Sequence, residues 1–515
     1  MNSEINPNIM EASKQPYYWQ QHQQQNIDQN SIFEDVNQFD VQTPEFANNS
    51  SSVSGFSSNG SPASLQDSQP FQPADYTCTS HLNVPSGFEN NVDDELLLTM
   101  SELGTILGID QDSNFNVSSS PSWEYINPGD VECRKMEEFI ARGDLKQGLF
   151  ACAKAVAENN TITADRLISM LRPLVSVSGD PTQRLAAYML EGLVSRFYGS
   201  GRAIYKSLKC KEPTGRDLFS YMMLLYEACP YFKFGYLSAN GAIAEATKNE
   251  DKIHIIDFQI AQGGQWATLI QALAGRPGGP PKLRITGLDD SRNAFARGGG
   301  LNIVGQRLTK LAESLKVPFE FHGVPVFVSD IEIKHLRVQP GEALAVNCAL
   351  VLHHLHDETV NIDNHRDRLI SLIKSLSPKV VTLVEQEADV NRTNFFPRFQ
   401  EVFGYYSAMF ESIDATLPRD HKERINVEQH CLAGEIVNIL ACEGIEREER
   451  HELFGMWRSR FMKAGFSQFP LSSHVNATIK KLLENYCDKY SLEERDGALF
   501  LGWMNRDLVS SSAWR

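Results

Sequence analysis

The stretch Ile253–Asp290, IHIIDFQIAQGGQWATLIQALAGRPGGPPKLRITGLDD, decides how this chain folds. Ile253, Ile255 and Ile256 lie in a short apolar run that closes on Asp257, the pattern of a strand buried on both faces. Gly263-Gly264 supplies a turn, and Trp266–Ala274 has the apolar spacing of a helix. A Pro/Gly break follows, then a second strand-like run, Lys282–Leu288, ending in Asp289 and Asp290. Strand, glycine turn, helix and strand open a nucleotide-type α/β fold, in which ligands sit over the carboxyl ends of the strands.

Downstream the alternation continues. The strand patterns Ile253–Phe258, Lys282–Leu288, Phe319–Gly323, Ala343–Leu350 and Val380–Glu385 are separated by helical ones at Trp266–Ala274, Leu301–Leu315 and His365–Ser375. Strands separated by helices predict a parallel sheet covered on both faces. The end of the chain, SLEERDGALFLGWMNRD with its Asp496-Gly497 dipeptide, predicts a hairpin that adds an antiparallel pair to this sheet. Upstream, Leu145, Leu149, Cys152 and Val156 share one helix face, and similar patterns recur at Leu167–Leu174, Leu185–Phe197, Ile204–Leu208 and Asp217–Cys229. The division predicted is a tail over 1–130, a helical cap over 136–250 and an α/β core over 251–515.

The net charge of -17 is confined to the tail: in residues 1–130 Lys14 is the single basic residue, and the remainder balances to zero. A neutral body lacks the broad positive field by which autonomous DNA binders gather phosphates. The tail is rich in Ser, Asn, Gln, Asp and Pro, which predicts disorder. Within it Leu96, Leu97, Met100, Leu103 and Leu107 fall at helical spacing between acids, as in a segment that folds on a partner to activate transcription. A short helix docking on the chain's own body fits the same pattern. The apolar runs are too short to cross a bilayer. Nine cysteines without a C-x-x-C pair predict neither a zinc ribbon nor a disulfide framework, and point to a reducing cytoplasmic or nuclear setting.

Three pieces point to a ligand site: Asp257, the acids Asp289 and Asp290 where ribose hydroxyls would bind, and Val351–Asp357 (VLHHLHD) after the fourth strand. In that order they resemble class I methyltransferases that use S-adenosylmethionine. Those enzymes place several glycines after the first strand, where this chain has Gln259 and Ala261; side chains there crowd the cofactor's place. His353, His354 and His356 lie too close in sequence to converge on a metal, and no H-E-x-x-H spacing is present. Gly298-Gly299-Gly300 lacks the Lys-Ser/Thr of a P-loop, and no nucleophile triad emerges. Phe399, Phe403, Tyr406 and Phe410 form an aromatic stripe facing a core. The run RDHKER near Arg419–Arg424 reads as a solvated turn. No cofactor and no metal is assigned.

IHIID at Ile253–Asp257 is similar to the VHIID signature of the plant GRAS family, with Ile at its first place. Leucine-rich stretches near 145–210 and 301–335 resemble the family's two leucine-rich regions. Phe396-Pro397, Tyr405-Tyr406 and Glu435 follow its PFYRE region, although Gly434 stands where the pattern has Arg. Trp457, Trp503 and Ser512-Ala513-Trp514 match its SAW region, so the resemblance spans 136–515. EASKQPYYWQ (11–20) and ARGDLKQGLFACAKAVAENN (141–160) look like the scarecrow-like branch associated with phytochrome A signalling.

The resemblance implies a helical cap on a methyltransferase-like (Rossmann-type) core. It also implies a regulator of transcription in the nucleus, with the cytoplasm as a second compartment. Such proteins act through other transcription factors and coactivators and as homo- or heterodimers, with DNA reached indirectly. On this reading His254, Asp257, Gly263, Gln265, Trp266 and Asp289 define the fold and perform no chemistry. Asp257 fixes the strand-to-helix turn, Gly263 permits its path, and Trp266 packs the helix on the sheet. Two alternatives stand beside it: a small-molecule or S-adenosylmethionine-binding enzyme, and a direct sequence-specific DNA binder.

Overall fold

The computed structural model describes residues 142–199, 215–289, 300–360, 362, 364–391, 394–419 and 421–515. The tail (1–130) with its segment Leu96–Leu107, the helix expected at Ile204–Leu208, and Asp290 lie outside the described residues.

Helices lead. They are α1 (Leu145–Ala157), α2 (Thr161–Leu171), α3 (Pro181–Phe197), α4 (Gly215–Ala228) and α5 (Tyr231–Ala246). Their starts are written in the sequence. Asp144 and Asn160 each accept a hydrogen bond from a first-turn amide, and Asp180 with Gln183 forms a capping box ahead of Pro181. Leu145, Leu149, Cys152 and Val156 are all buried.

The sheet holds β1 (Lys252–Asp257), β2 (Lys282–Leu288), β3 (Phe319–Val324), β4 (Ala343–Ala349), β5 (Val380–Gln386), β6 (Tyr490–Arg495), β7 (Ala498–Trp503) and β8 (Arg506–Trp514). Their order across the sheet is β3-β2-β1-β4-β5-β8-β7-β6. The first five strands are parallel, joined through α6 (Gly264–Ala274), α7 (Gly300–Ser314), the short α8 (Ile333–Leu336) and α9 (His365–Ser375). The strand order reverses between β1 and β4, which places the switch point of the doubly wound half at Asp257. Side chains of β1 alternate between two cores. Ile253 and Ile255 join the one shared with the leading helices, and Ile256 the one beneath α9.

The terminal hairpin exists, with β6 and β7 joined through Asp496-Gly497, but it is one strand short of the observed arrangement. A further strand, β8, runs antiparallel between β5 and β7, so the antiparallel part is a three-stranded meander. The chain's last strand, rather than the hairpin, meets the parallel half.

After β5 come α10 (Phe395–Thr416), α11 (Lys422–Val427), α12 (Gly434–Ala441), α13 (Phe454–Lys463) and α14 (Ser473–Leu483). The aromatic stripe Phe399, Phe403, Tyr406 and Phe410 on α10 is buried, and α10 and α12 pack against α3. A π-helical turn, Glu428–Ala433, links α11 to α12. There Glu428 meets Arg184 of α3 at 3.0 Å and Arg424 at 2.7 Å. The expectation of a solvated turn at Arg419–Arg424 fails at Arg424, which is fully buried. A guanidinium can be buried there because Glu428 and the carbonyls of Val177 and Arg419 take its protons. Among the described residues no helix is long and apolar enough to cross a membrane, and the six cysteines described are free thiols.

Candidate functional site

Asp257 ends β1 at the switch point, where a nucleotide-type fold would receive its cofactor. Both of its oxygens are taken by the chain itself. Oδ2 accepts from Trp266 Nε1 at 2.7 Å, and Oδ1 accepts from Asn347 Nδ2 at 3.1 Å and from the Gln259 amide at 3.2 Å. The last of these closes the strand-to-helix turn. Asn347 in turn donates to Gln265 Oε1 and accepts from Thr382, while Asn240 of α5 bonds the Gln265 carbonyl. One polar network thus ties β1, β4, β5, α5 and α6. Burial, with the nearby charge of Asp289, pushes the Asp257 carboxyl up to about 6.

The turn after β1 folds onto β2 through Ile260. Gln259 and Ala261 are only half-buried; Ile260 between them is 3% exposed. Its side chain lies over Gly287 of β2 so closely that a Cβ there would collide with it. Its amide donates to the Leu288 carbonyl. Ala261 takes a left-handed φ of 46° to make this possible. Gly263 has a φ of 73°, and a Cβ there would lie 2.9 Å from Val304, so glycine is required on two counts. Asp289 is buried at the end of β2. His254 is spent on the sheet: it pairs with Thr286 at 2.8 Å and accepts from Arg284 at 3.0 Å. Burial and the Arg284 charge pull it down to about 4.

His353 and His354 both approach one oxygen of Glu449, each at 3.5 Å, closer together than their adjacency in sequence suggests. His353 is completed by residues about a hundred positions later, Glu449 and His451, which carry no spacing signal in the sequence. The Leu352–His354 turn packs against Arg450–Phe454, with the Arg450 amide donating to the His353 carbonyl. His353 Nδ1 lies 2.5 Å from Glu385 Oε2. Burial, opposed by the Leu352 amide, leaves Glu385 raised to about 7.

Most of the remaining signature residues sit in the cores. Tyr405 donates to the Leu508 carbonyl of β8, and Tyr406 to Glu435 at 2.8 Å. Phe396 is half-buried and Pro397 exposed at the start of α10. Trp457 is buried under the Arg366 guanidinium, Trp503 donates to Glu411, and Trp514 donates to Ser512 beside Ala513 in β8. These residues do not gather into one open site. A cavity of about 440 Å³ lies elsewhere, lined by Arg196, Phe395, Arg398, Glu443, Arg447 and Arg450 among others.

A family model described as the GRAS domain family matches residues 145–515. Scarecrow-like protein 5 of Arabidopsis thaliana is 61% identical over 431 residues, 84% of this chain and 72% of that protein. Scarecrow-like transcription factor PAT1, also of Arabidopsis thaliana, is 65% identical over 383 residues, 74% of this chain and 78% of that protein. Among solved structures, that of SCL7 in Oryza sativa matches with a TM-score of 0.63 at 37% identity, covering 72% of this chain and 99% of that one.

Proposed function

The chain belongs to the GRAS domain family and is a plant transcriptional regulator, and from that premise we propose that it acts by protein–protein contact rather than by catalysis. In this reading the cap and core dock on DNA-bound transcription factors, and the acidic tail recruits coactivators. The observation that carries it is the state of the switch point. Ile260 closes the turn onto Gly287, and Trp266, Asn347 and Gln259 satisfy Asp257. A ribose or methionine group would have to break that network and leave buried polar groups unpaired, at about 1–3 kcal/mol each.

Calorimetry of the full chain with S-adenosylmethionine tests this. No heat of binding is expected; micromolar binding that disappears in a folded Asp257→Ala variant would overturn it. Direct DNA binding is disfavoured by the neutral charge balance of 131–515. Tight duplex binding that weakens steeply with salt would restore it.

The tail's role rests on the spacing of Leu96, Leu97, Met100, Leu103 and Leu107 between acids. Residues 90–112 fused to a DNA-binding module should activate a reporter, and alanines at Leu96, Leu97, Leu103 and Leu107 should abolish the signal. An unchanged signal removes the recruiting role. Family membership further supports homo- or heterodimers and nuclear action with a cytoplasmic pool, and the resemblance to the scarecrow-like branch supports an upstream light or hormone signal. Sedimentation and imaging of a fluorescent fusion test the first two.

A further inference from the structure

We propose that His353, Glu449 and His451 form a binding site for a first-row divalent cation of the zinc class. The three residues offer ligand atoms that all lie within 4.8 Å of one another, and all three are buried. His353 Nε2 stands 3.5 Å from Glu449 Oε2 and His451 Nε2 3.4 Å from the same oxygen. Tetrahedral zinc with bonds of about 2.0–2.1 Å holds its ligand atoms about 3.3 Å apart. The separations to Glu449 are therefore those of ligands around a shared ion, and too long for direct hydrogen bonds of ordinary length.

Three further observations point the same way. First, the ring nitrogens of His451 and Oε2 of Glu449 make no hydrogen bond of ordinary geometry and face each other only at 3.4 Å, although His451 is 1% and Glu449 8% exposed. Buried polar atoms in a native core are rarely left so. Second, the other nitrogen of His353 lies 2.5 Å from Glu385, whose second oxygen is fixed by the Leu352 amide. A carboxylate that takes the far N–H of an imidazole orients the near nitrogen as a lone-pair donor and raises its basicity, as metal sites require. Third, the neighbouring cation is already engaged: Arg366 pairs with Asp357 and Glu452.

The chain geometry explains the spacing. Glu449 and His451 are two apart in an irregular segment, which lets both side chains face the Leu352–His354 turn. His354 Nδ1 is 3.5 Å from the same Glu449 oxygen and is partly exposed, so the ion is reached from that side. Two imidazoles and one carboxylate leave room for His354 or water as a further ligand. Imidazole with carboxylate favours zinc over magnesium or calcium, which prefer all-oxygen shells.

The test uses the full chain, stripped with a chelator and titrated with zinc and, separately, with cobalt(II) as a spectroscopic probe. One equivalent of zinc should bind at micromolar Kd or tighter, and cobalt should give the intense visible absorption of a low-coordinate nitrogen/oxygen site. His451→Gln and Glu449→Gln should abolish both, while the exposed His474→Gln should leave them unchanged. Glu385→Gln, outside the ligand set, should weaken zinc about 10–100-fold. Circular dichroism monitors folding. Lack of stoichiometric zinc uptake by the wild type overturns the proposal. So does uptake that persists undiminished in a folded His451→Gln or Glu449→Gln chain. If those two variants fail to fold, unchanged affinity in folded Glu385→Gln overturns it.

Discussion

At the scale of single residues, Asp257 shows how an acid at the switch point of a nucleotide-type fold can serve the structure. Its carboxyl is raised from 3.8 to about 6 by burial, so between those values the native chain keeps a proton that the unfolded chain has lost. The stabilisation from this group is therefore complete below about pH 4 and is lost as pH rises through about 6. Asp257→Asn removes that dependence. In urea melts from pH 4 to 7 the variant should gain on the wild type by about 3 kcal/mol across the range; a constant difference would refute the assignment. The identity of Asp257 as the end of the first strand was legible because an acid closed an apolar run. Ile260 was not legible, because an isoleucine in a loop carries no chemical signal and only the register of β2 shows what it covers. His451 was hidden for a related reason. Its partner His353 lies about a hundred residues earlier, and sequence spacing reports convergence only within one element.

Elements were read best where their periodicity was unbroken. The strand Lys282–Leu288 and the helix His365–Ser375 were predicted to the residue. Others moved at their edges for local reasons: Leu350, with a φ of 54°, ends β4 one residue early. The strand β8 was missed because its middle, Ser510-Ser511-Ser512, has low strand propensity and no apolar alternation. Packing explains the serines, since Ser238 of α5 donates to Ser511 at 2.6 Å, and a larger residue would hold the helix off the sheet. The contact between β2 and the loop after β1 gives a test at this scale. Gly287→Ala should cost about 1–3 kcal/mol by forcing Ile260 outwards. Much of that cost should vanish when Ile260→Ala is already present, giving a double-mutant coupling of about 0.5–3 kcal/mol in thermal melts. Additive losses would show that the two residues do not compete for the same space.

Across the whole molecule, the helices that precede the sheet are not closed upon themselves. α3 packs against α10 and α12, and one apolar cluster runs from Leu145 to Ala513. The buried pair of Arg184 and Glu428 joins residues 244 positions apart. Arg184→Ala leaves Glu428 with Arg424 alone and Asp414 with Arg419 alone, so it should destabilise the full chain by about 3–5 kcal/mol in denaturant melts. A change under about 0.5 kcal/mol would mean that Arg424 suffices. Composition could separate an acidic tail from a neutral body, and periodicity could separate helices from strands. Neither could show that the leading helices are finished by later ones, because that depends on pairs far apart in the chain.

The position of β8 also bears on how the protein is made. It is made after both of its neighbours, yet it lies inside the sheet, pairing with β5 on one side and β7 on the other. Until it emerges, β5 and β7 therefore present unpaired edges, the kind of surface on which nascent chains stick to one another. The parallel half must wait for β8 before its outer edge closes. Newly made chains should therefore depend on chaperones until β8 has been added. A stop codon at Arg506 would remove Arg506–Trp514 and leave both edges permanently open, yielding aggregate or degraded protein instead of a shortened regulator.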